Sequence, residues 1–379
     1  MVRVKRYPLF ALFLSFLVVV VGCEKKDAVS PAQSQDLGGG RYPVKLLYLH
    51  GSPYEIGYQH GQAAKDRIQK FVENLHSVMQ VMNIPQEFVD NAYTEMEPYI
   101  PERYKEEMQG LAEGAGVSIE DVHRLHAIPD LSEYHCTFFA AWGSATKDHQ
   151  LLQIRALDYE TGAHFQEYPA ILVIKPEEGV AHAVIGWTGF IGAVSGMNAE
   201  GIAVSEIGDN FGPEHETLAG EPMPFVLRDV LWDAKTLDAA VNIIKNAHRT
   251  SSYLYCVGDA KIPDARAFKT AKDFCDVYTD ASLPQKPLKN VVYFSMGVGH
   301  EYNQRVYQFL KGRLGQLDAE AAKQLMHDVG TGDLHAVVYH PSTGDVWVAN
   351  AGPGPNPEPA YNRDYVHVNL PEELAKIKP

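Results

Sequence analysis

Cys136 is the residue whose type and position could do the most distinctive chemistry in this sequence. It begins a predicted strand, residues 137–144, directly after a mainly helical region. If the bond from His135 to Cys136 were cut, the new α-amino group would be a general base for the thiol of the same residue. An unperturbed α-amino group titrates at about pH 8, which suits this task. The alternative is a small buried hydrophobic residue at a strand start.

Two charged residues on the next predicted strand favour the catalytic interpretation. A turn near Asp148 brings residues 151–159 back beside Cys136 as a hairpin, so Arg155 and Asp158 could reach the strand start. A carboxylate there would hold a new N-terminal ammonium group. A guanidinium group would favour the thiolate and bind a polar part of a substrate. A purely structural ion pair between the two is the alternative.

The remaining pattern predicts an α+β fold. Residues 53–132 have mainly helical periodicity, including a helix start capped by Ser118. Two further hairpins follow the first, and helices return after them; the predicted ranges are 170–175 with 182–187, 192–195 with 202–206, helices over 223–231, 237–247 and 305–314, and late strands over 335–339 and 346–350. Two sheets covered by helices would bury these strands, and a sandwich with helices at one end fits the pattern equally well.

The N-terminus has the features of an exported bacterial lipoprotein. Three basic residues within the first six precede an apolar run over residues 8–21, which ends in a Val-Val-Gly-Cys lipobox at Cys23. We therefore predict a signal peptide over residues 1–22, lipid on Cys23, and a flexible tether over residues 23–42. The globular part would lie outside the cytoplasm at the cell envelope. An uncleaved anchor helix is the alternative and gives the same location.

Charge and cysteine spacing exclude several classes of function. The net charge of −15 and the lack of a Lys/Arg cluster argue against nucleic-acid binding. There is no Cys-x-x-Cys pair, so we expect no zinc or redox site and no cofactor. Cys256 and Cys275 either form a disulfide or remain free thiols.

Several groups of residues, in order along the chain, resemble the N-terminal-nucleophile hydrolase superfamily. The likeness is greatest to the penicillin acyl-coenzyme A acyltransferase and peptidase C45 family, with bile-salt hydrolases and acid ceramidase-type amidases as more distant relatives. The motifs are Cys136-Thr137-Phe138, Arg155 with Asp158, and Gly196-Met197-Asn198 with Gly201, supported by residues 51–61, 107–114 and 334–339. The resemblance covers residues 42–351.

The resemblance implies a four-layer αββα catalytic domain over residues 136–379, preceded by a helical prosegment over residues 43–135. Autocleavage between His135 and Cys136 would release Cys136 as the nucleophile. Asp158 would hold its amino group, and Arg155 would flank it and contact substrate.

The resemblance also implies that Asn198 donates to the oxyanion and that Arg305 contacts substrate. The alternative for Asn198 is a turn residue. Two departures from the family pattern stand out. His135 replaces a small residue, which would slow or redirect processing. No asparagine lies near residues 251–255, so a backbone amide or Tyr253 would replace the second oxyanion donor.

The predicted activity is hydrolysis of a linear amide through an acyl-cysteine. An acyltransferase would use the same intermediate, but water is abundant outside the cytoplasm and acyl-coenzyme A is not. A catalytically dead ligand-binding lipoprotein is the rival from another class, and the retained Cys136, Arg155, Asp158 and Asn198 argue against it. A histidine-dependent cysteine protease is weaker, because no histidine has a diagnostic spacing from Cys136. The expected partners are a small amide or acyl substrate and, through Cys23, the membrane.

Overall fold

The computed structural model describes residues 29, 33–38, 40–132, 135–354 and 356–378. The predicted signal peptide and lipidated Cys23 lie outside the described residues. The region before Cys136 is mainly helical, as predicted, with helices α1 to α5 at Pro53–Ala63, Lys65–Val81, Gln86–Met96, Glu102–Ala115 and Ile119–Leu131. The hydroxyl of Ser118 caps α5 by accepting from the Asp121 backbone N–H at 3.1 Å. Among the described residues, no helix is long and apolar enough to cross a membrane.

Two strands precede the helices and join the prosegment to the rest of the molecule. They are β1 (Gln33–Asp36) and β2 (Lys45–Gly51), which pair antiparallel. The predicted tether is therefore not irregular throughout, although all four residues of β1 are exposed. Strand β2 also pairs parallel with β5 (Pro169–Pro176). The prosegment thus contributes strand β2, and the predicted tether strand β1, to a sheet that continues after Cys136.

The strands form two sheets. The first has the order β1-β2-β5-β6-β7-β8-β9-β10-β11, and the second has the order β12-β3-β4-β13-β14-β15. Their bounds are His135–Ala141 (β3), Leu152–Asp158 (β4), His182–Trp187 (β6), Ser195–Asn198 (β7), Ile202–Gly208 (β8), Tyr253–Asp259 (β9), Asp264–Thr270 (β10), Cys275–Tyr278 (β11), Val291–Ser295 (β12), His335–His340 (β13), Asp345–Asn350 (β14) and Val366–Asn369 (β15).

Helices cover both outer faces of the stacked sheets. Strands β3 and β4 pack against β8 of the other sheet, and an apolar layer that includes Leu46, Ile171 and Val337 fills part of the space between the sheets. Helices α6 and α7 cover the first sheet, and α8 and α9 cover the second; they span Met223–Asp233, Leu237–Asn246, Tyr302–Gly312 and Ala319–Val329, and a short α10 (Leu370–Leu374) follows. The predicted four-layer αββα arrangement is confirmed.

Helices α1 and α4 cross with their backbones almost in contact. A Cβ atom added to Gly57 would lie 1.8 Å from the Glu107 carbonyl oxygen, and one added to Gly110 would lie 2.1 Å from the Tyr54 carbonyl oxygen. Only glycine permits this approach. The glycine-containing motifs within residues 51–61 and 107–114 therefore have a packing role.

The third predicted hairpin begins later than expected. Residues 188–194 are buried but form no strand, and β7 starts at Ser195. This buried loop is as apolar as a strand, and its hydrophobic pattern therefore predicted a strand that begins too early. Strands β9 to β12 and helix α9 were not predicted.

Candidate active site

The hairpin of β3 and β4 sets the geometry around Cys136. Its register pairs Cys136 with Leu157 and His135 with Asp158, as the predicted turn near Asp148 requires. Cys136 is fully buried, whereas the preceding His135 is exposed. The backbone carbonyl of Cys136 accepts from the Met296 N–H at 2.7 Å, which fixes the strand on its other side.

A buried guanidinium group lies against the thiol. The Nη2 atom of Arg155 is 3.5 Å from the Sγ atom of Cys136, and the same guanidinium group forms an ion pair with Glu206 on β8. Burial raises the pKa of the Cys136 thiol well above its usual value; Arg155 opposes this shift, and Glu206 adds to it. The thiol of the uncut chain is therefore protonated. Glu206 is a site residue that the sequence did not suggest.

The Asp158 carboxylate is held by three donors from the loop before β13. It accepts from the Thr331 hydroxyl at 2.6 Å and from the backbone N–H groups of Gly332 and Asp333 at 2.7 and 3.1 Å. Burial raises the pKa of this carboxyl, and the three donors oppose that shift. The carboxylate is thus held in place opposite His135, the residue before the thiol.

A row of buried hydroxyl groups links Asp158 to the strand that carries Cys136. The Thr331 hydroxyl oxygen is 2.8 Å from that of Thr137, which is 2.6 Å from that of Ser295. Each hydroxyl has one proton, and a carboxylate only accepts. Because Thr331 donates to Asp158, Thr137 donates to Thr331, and Ser295 donates to Thr137.

The structure does not bring Asn198 to the thiol. Its Nδ2 donates to the carbonyl oxygens of Leu231 and Ala234 at 3.1 and 2.8 Å, and its Oδ1 accepts from the backbone N–H groups of Glu200 and Ile202, each at 3.0 Å. Both ends of the amide are committed to the turn before β8 and to the end of α6. These hydrogen bonds favour the turn alternative for Asn198 over the predicted oxyanion role.

Arg305 lies on α8 with its side chain about half exposed. Its guanidinium group pairs with Glu301 one turn earlier at 3.2 Å and stacks on the Tyr302 ring at 4.2 Å. These contacts belong to the surface of one helix, and no ion pair of the described residues joins Arg305 to Asp158, so its substrate role stays a prediction. The two cysteines left open by the sequence, Cys256 and Cys275, are free thiols.

An apolar pocket opens to solvent beside Arg155 and has a volume of about 510 Å³, which includes space open to solvent. Helices α2 and α5 of the prosegment form one wall, and β4 with the buried loop 188–194 forms the other. The lining residues are Phe71, Leu125, Ile128, Pro129, Ser132, Arg155, Leu157, Tyr159, Phe165, Trp187, Phe190, Val194 and Leu334. Arg155 is the only charged residue in this set, so the pocket suits an apolar chain with a polar group at the Cys136 end.

A second, larger cavity of about 890 Å³ adjoins the first, sharing Pro129 and Ser132. Most of its lining residues have polar side chains, and they include Asn210, in the loop that follows β8. Among the described residues, no group of three or more His, Cys, Asp and Glu side chains is arranged to hold a metal ion.

Comparison with known proteins agrees with the motifs at Arg155, Asp158 and residues 196–201, which lie in the matched range. Residues 144–281 match the family model of the acyl-coenzyme A:6-aminopenicillanic acid acyl-transferase, so the family resemblance is confirmed. Protein dcd1B of Dictyostelium discoideum is 26% identical over 89% of this chain and 76% of its own length. Protein dcd1A of the same organism is 27% identical over 86% and 85%.

Solved structures of related architecture have low sequence identity to this chain. The Caenorhabditis elegans N-acylethanolamine-hydrolyzing acid amidase ortholog is 19% identical, with a TM-score of 0.46 over 55% of this chain and 93% of that chain. Penicillin V acylase from Agrobacterium tumefaciens is 10% identical, with a TM-score of 0.39 over 57% of this chain and 83% of that chain.

Proposed function

Taking this chain as a relative of the acyl-coenzyme A:6-aminopenicillanic acid acyltransferase family, an enzyme of the amide hydrolase and acyltransferase class, we propose that it hydrolyses linear amides with an apolar acyl group. Cys136, freed by self-cleavage, is the nucleophile. One observation carries the proposal: the thiol lies at a strand start, 3.5 Å from Arg155 at the polar end of an apolar pocket.

Self-cleavage begins when the Cys136 thiol attacks the carbonyl carbon of His135. The His135–Cys136 amide becomes a thioester, and the nitrogen leaves as the free α-amine of Cys136. Water then hydrolyses the thioester, leaving a carboxylate on His135 and restoring the thiol. The Asp158 carboxylate, opposite His135 in the hairpin, stabilises the new ammonium group.

Amide hydrolysis repeats this chemistry on a substrate. The Cys136 amine takes the thiol proton, and the thiolate attacks the amide carbonyl. The ammonium then protonates the leaving nitrogen, and a thioester to the acyl group remains. Water, activated by the same amine, releases the carboxylic acid. Arg155 favours the thiolate by charge, and Glu206 keeps the guanidinium group in place.

Asn210 is our candidate for the oxyanion donor in place of Asn198. It follows β8, which carries Glu206, and lines the cavity that adjoins the acyl pocket. Its neighbour Asp209 interacts electrostatically with His135, which supports a position of this loop near the bond to be cut. A side-chain amide near that carbonyl suits the charge that develops during attack.

The acyl group is assigned to the apolar pocket because burying an apolar chain there needs no charged partner. The C. elegans structure mentioned above is named for hydrolysis of N-acylethanolamines, which have an acyl chain on a small amine. We further propose that the protein is exported and anchored through lipid on Cys23, which rests on the lipobox alone. A Cys23→Ala variant that retains normal lipid labelling would reject the anchor.

The test is an amide hydrolysis assay with acyl chains of graded length and with Cys136→Ala and Cys136→Ser. We expect turnover of apolar N-acyl amides by the wild type, none by Cys136→Ala, and steeply reduced turnover by Cys136→Ser. Cys256→Ala, which removes another buried thiol, is the matched control and should retain activity. Adding an acceptor amine tests the acyltransferase alternative, since a transferase would form the new amide faster than the free acid. Hydrolysis by Cys136→Ala equal to wild type would overturn the proposal.

A further inference from the structure

All charged residues that line the second cavity are acidic. Three of its residues carry carboxyl groups, namely Asp130 at the end of α5, Asp209 after β8 and Glu216 before α6, and none of its lining residues is Lys or Arg. Hydroxyl groups of Ser, Thr and Tyr make up much of the remaining polar surface. An anionic ligand would be repelled here, whereas a cation or a hydroxylated group would be attracted.

The three carboxyl groups are ordered by hydrogen bonds but not neutralised by ion pairs. Asp209 accepts from the backbone N–H of Val298 at 2.9 Å, and Glu216 accepts from the backbone N–H of Ser252 at 3.2 Å. No ion pair within the described ranges involves Asp130, Asp209 or Glu216. No salt-bridging side chain of the described residues therefore occupies these three carboxyl groups.

Two lysines lie near the cavity without lining it. The Nζ atom of Lys272 donates to the backbone carbonyl of Glu216 at 3.1 Å, and that of Lys269 sits 4.4 Å from the centre of the Phe211 ring. They reduce the negative potential from outside but occupy none of the carboxylates.

Asp130 is a carboxyl group of this cavity with no positively charged partner among the described residues. One of its carboxyl oxygens accepts from the Thr250 hydroxyl, the Met223 backbone N–H also favours the carboxylate, and Oδ2 is buried without a side-chain partner among the described residues. Burial raises the pKa of Asp130 to about 7. A buried carboxyl in this condition gains from a nearby donor with positive charge.

We propose that this cavity is the leaving-amine subsite and that it takes amines carrying a second, positively charged nitrogen. The assignment rests on the proposed amide hydrolysis. The two cavities share Pro129 and Ser132, so an amide with its acyl chain in the apolar pocket directs its amine portion into the acidic cavity. The substrate class is therefore an apolar acyl group on a diamine or another basic amine, and the products are a carboxylic acid and a dication.

The test compares three amides that share one acyl chain. Their amine portions are 4-aminobutyl, which is cationic, n-butyl, which is neutral, and 3-carboxypropyl, which is anionic. We expect kcat/KM to fall in that order, by about tenfold or more between the cationic and anionic substrates, and the difference to shrink in high salt. Preference for the anionic or the butyl amide would overturn the cationic assignment while leaving amide hydrolysis intact. Failure to hydrolyse any of the three would instead reject the proposed function.

Glu216→Gln and its control locate the effect in the cavity. Glutamine can still accept from Ser252, so the loop is retained while one charge is lost. We expect the ratio of cationic to neutral kcat/KM to fall about threefold or more. Glu214→Gln removes the same charge two residues away, outside the cavity lining, and should leave the ratio unchanged. Equal ratios in wild type and Glu216→Gln, or equal losses in both variants, would contradict the assignment.

Discussion

The guanidinium group of Arg155 lies 3.5 Å from the Cys136 thiol, and both side chains are fully buried. At such a contact the thiolate is favoured by the positive charge and disfavoured by the loss of water. Glu206 pairs with the same guanidinium group and weakens its effect on the thiol. Glu206 thus has two opposed roles, since it fixes Arg155 but raises the pKa of Cys136.

Glu206→Gln should therefore lower the pKa of the Cys136 thiol. Removing this negative charge leaves Arg155 unopposed, so the pH midpoint for alkylation of Cys136 should move down. Loss of one partner from a buried pair should also lower the free energy of unfolding by about 3 kcal/mol. Glu107→Gln is the matched control, because Glu107 forms another fully buried ion pair, with Arg228. It should destabilise the protein similarly without moving the alkylation midpoint; a shift in both variants would refute a local effect.

Asp158→Asn should move the acidic limb of the pH–rate profile to lower pH. The Asp158 carboxylate favours the ammonium form of the Cys136 amine and so raises its pKa. Without that charge the amine remains a free base at lower pH. The profile should be measured on chains already cleaved, so that a processing defect is not mistaken for a catalytic one. A purely structural Asp158 would lower thermal stability and leave the limb in place.

Asn210→Ala and Asn198→Ala should separate an oxyanion donor from a turn residue. Asn210→Ala should lower kcat about 100-fold with little change in stability. Asn198→Ala breaks four hydrogen bonds, three of them buried, and should lower the free energy of unfolding by about 2 kcal/mol or more, with kcat of the folded fraction retained. The reverse pattern would restore the oxyanion role to Asn198.

The sequence predicted the part of the site that one hairpin determines. Cys136, Arg155 and Asp158 lie on adjacent strands with a short connection, so turn position and strand periodicity were enough. Glu206 could not be found in this way, because it reaches Arg155 from the other sheet. Contacts between sheets depend on how the layers stack, which local patterns do not specify.

The case of Asn198 shows how a motif can be recognised in the sequence while the role of its asparagine depends on tertiary contacts. An asparagine before a Gly-containing turn is favoured equally by turn geometry and by oxyanion binding. Only the hydrogen bonds to the turn and to the end of α6 distinguish the two. The glycine motifs within residues 51–61 and 107–114 are a second example. Their spacing was visible in the sequence, but the crossing of α1 and α4 was not.

Gly110→Ala should prevent stable folding of the prosegment against the catalytic domain. The added Cβ would lie 2.1 Å from the Tyr54 carbonyl oxygen, so α1 and α4 must separate. We expect a loss of more than about 4 kcal/mol, seen by chemical denaturation or as insoluble protein. Gly312→Ala is the control and should be nearly neutral. No heavy atom beyond its chain neighbours and its own helix backbone lies within 4 Å of the added Cβ. A soluble Gly110→Ala protein of wild-type stability would contradict the observed helix crossing.

The N-terminal residue of the catalytic chain tests the central claim most directly. Intact-mass analysis of the purified wild-type protein, with Cys136→Ala as the control, reports any cut between His135 and Cys136. We predict two chains for the wild type, one beginning at Cys136, and a single uncut chain for Cys136→Ala. An amide-hydrolysing preparation that contains only the uncut chain would contradict the account, because Cys136 would then have no free amine to act as its base.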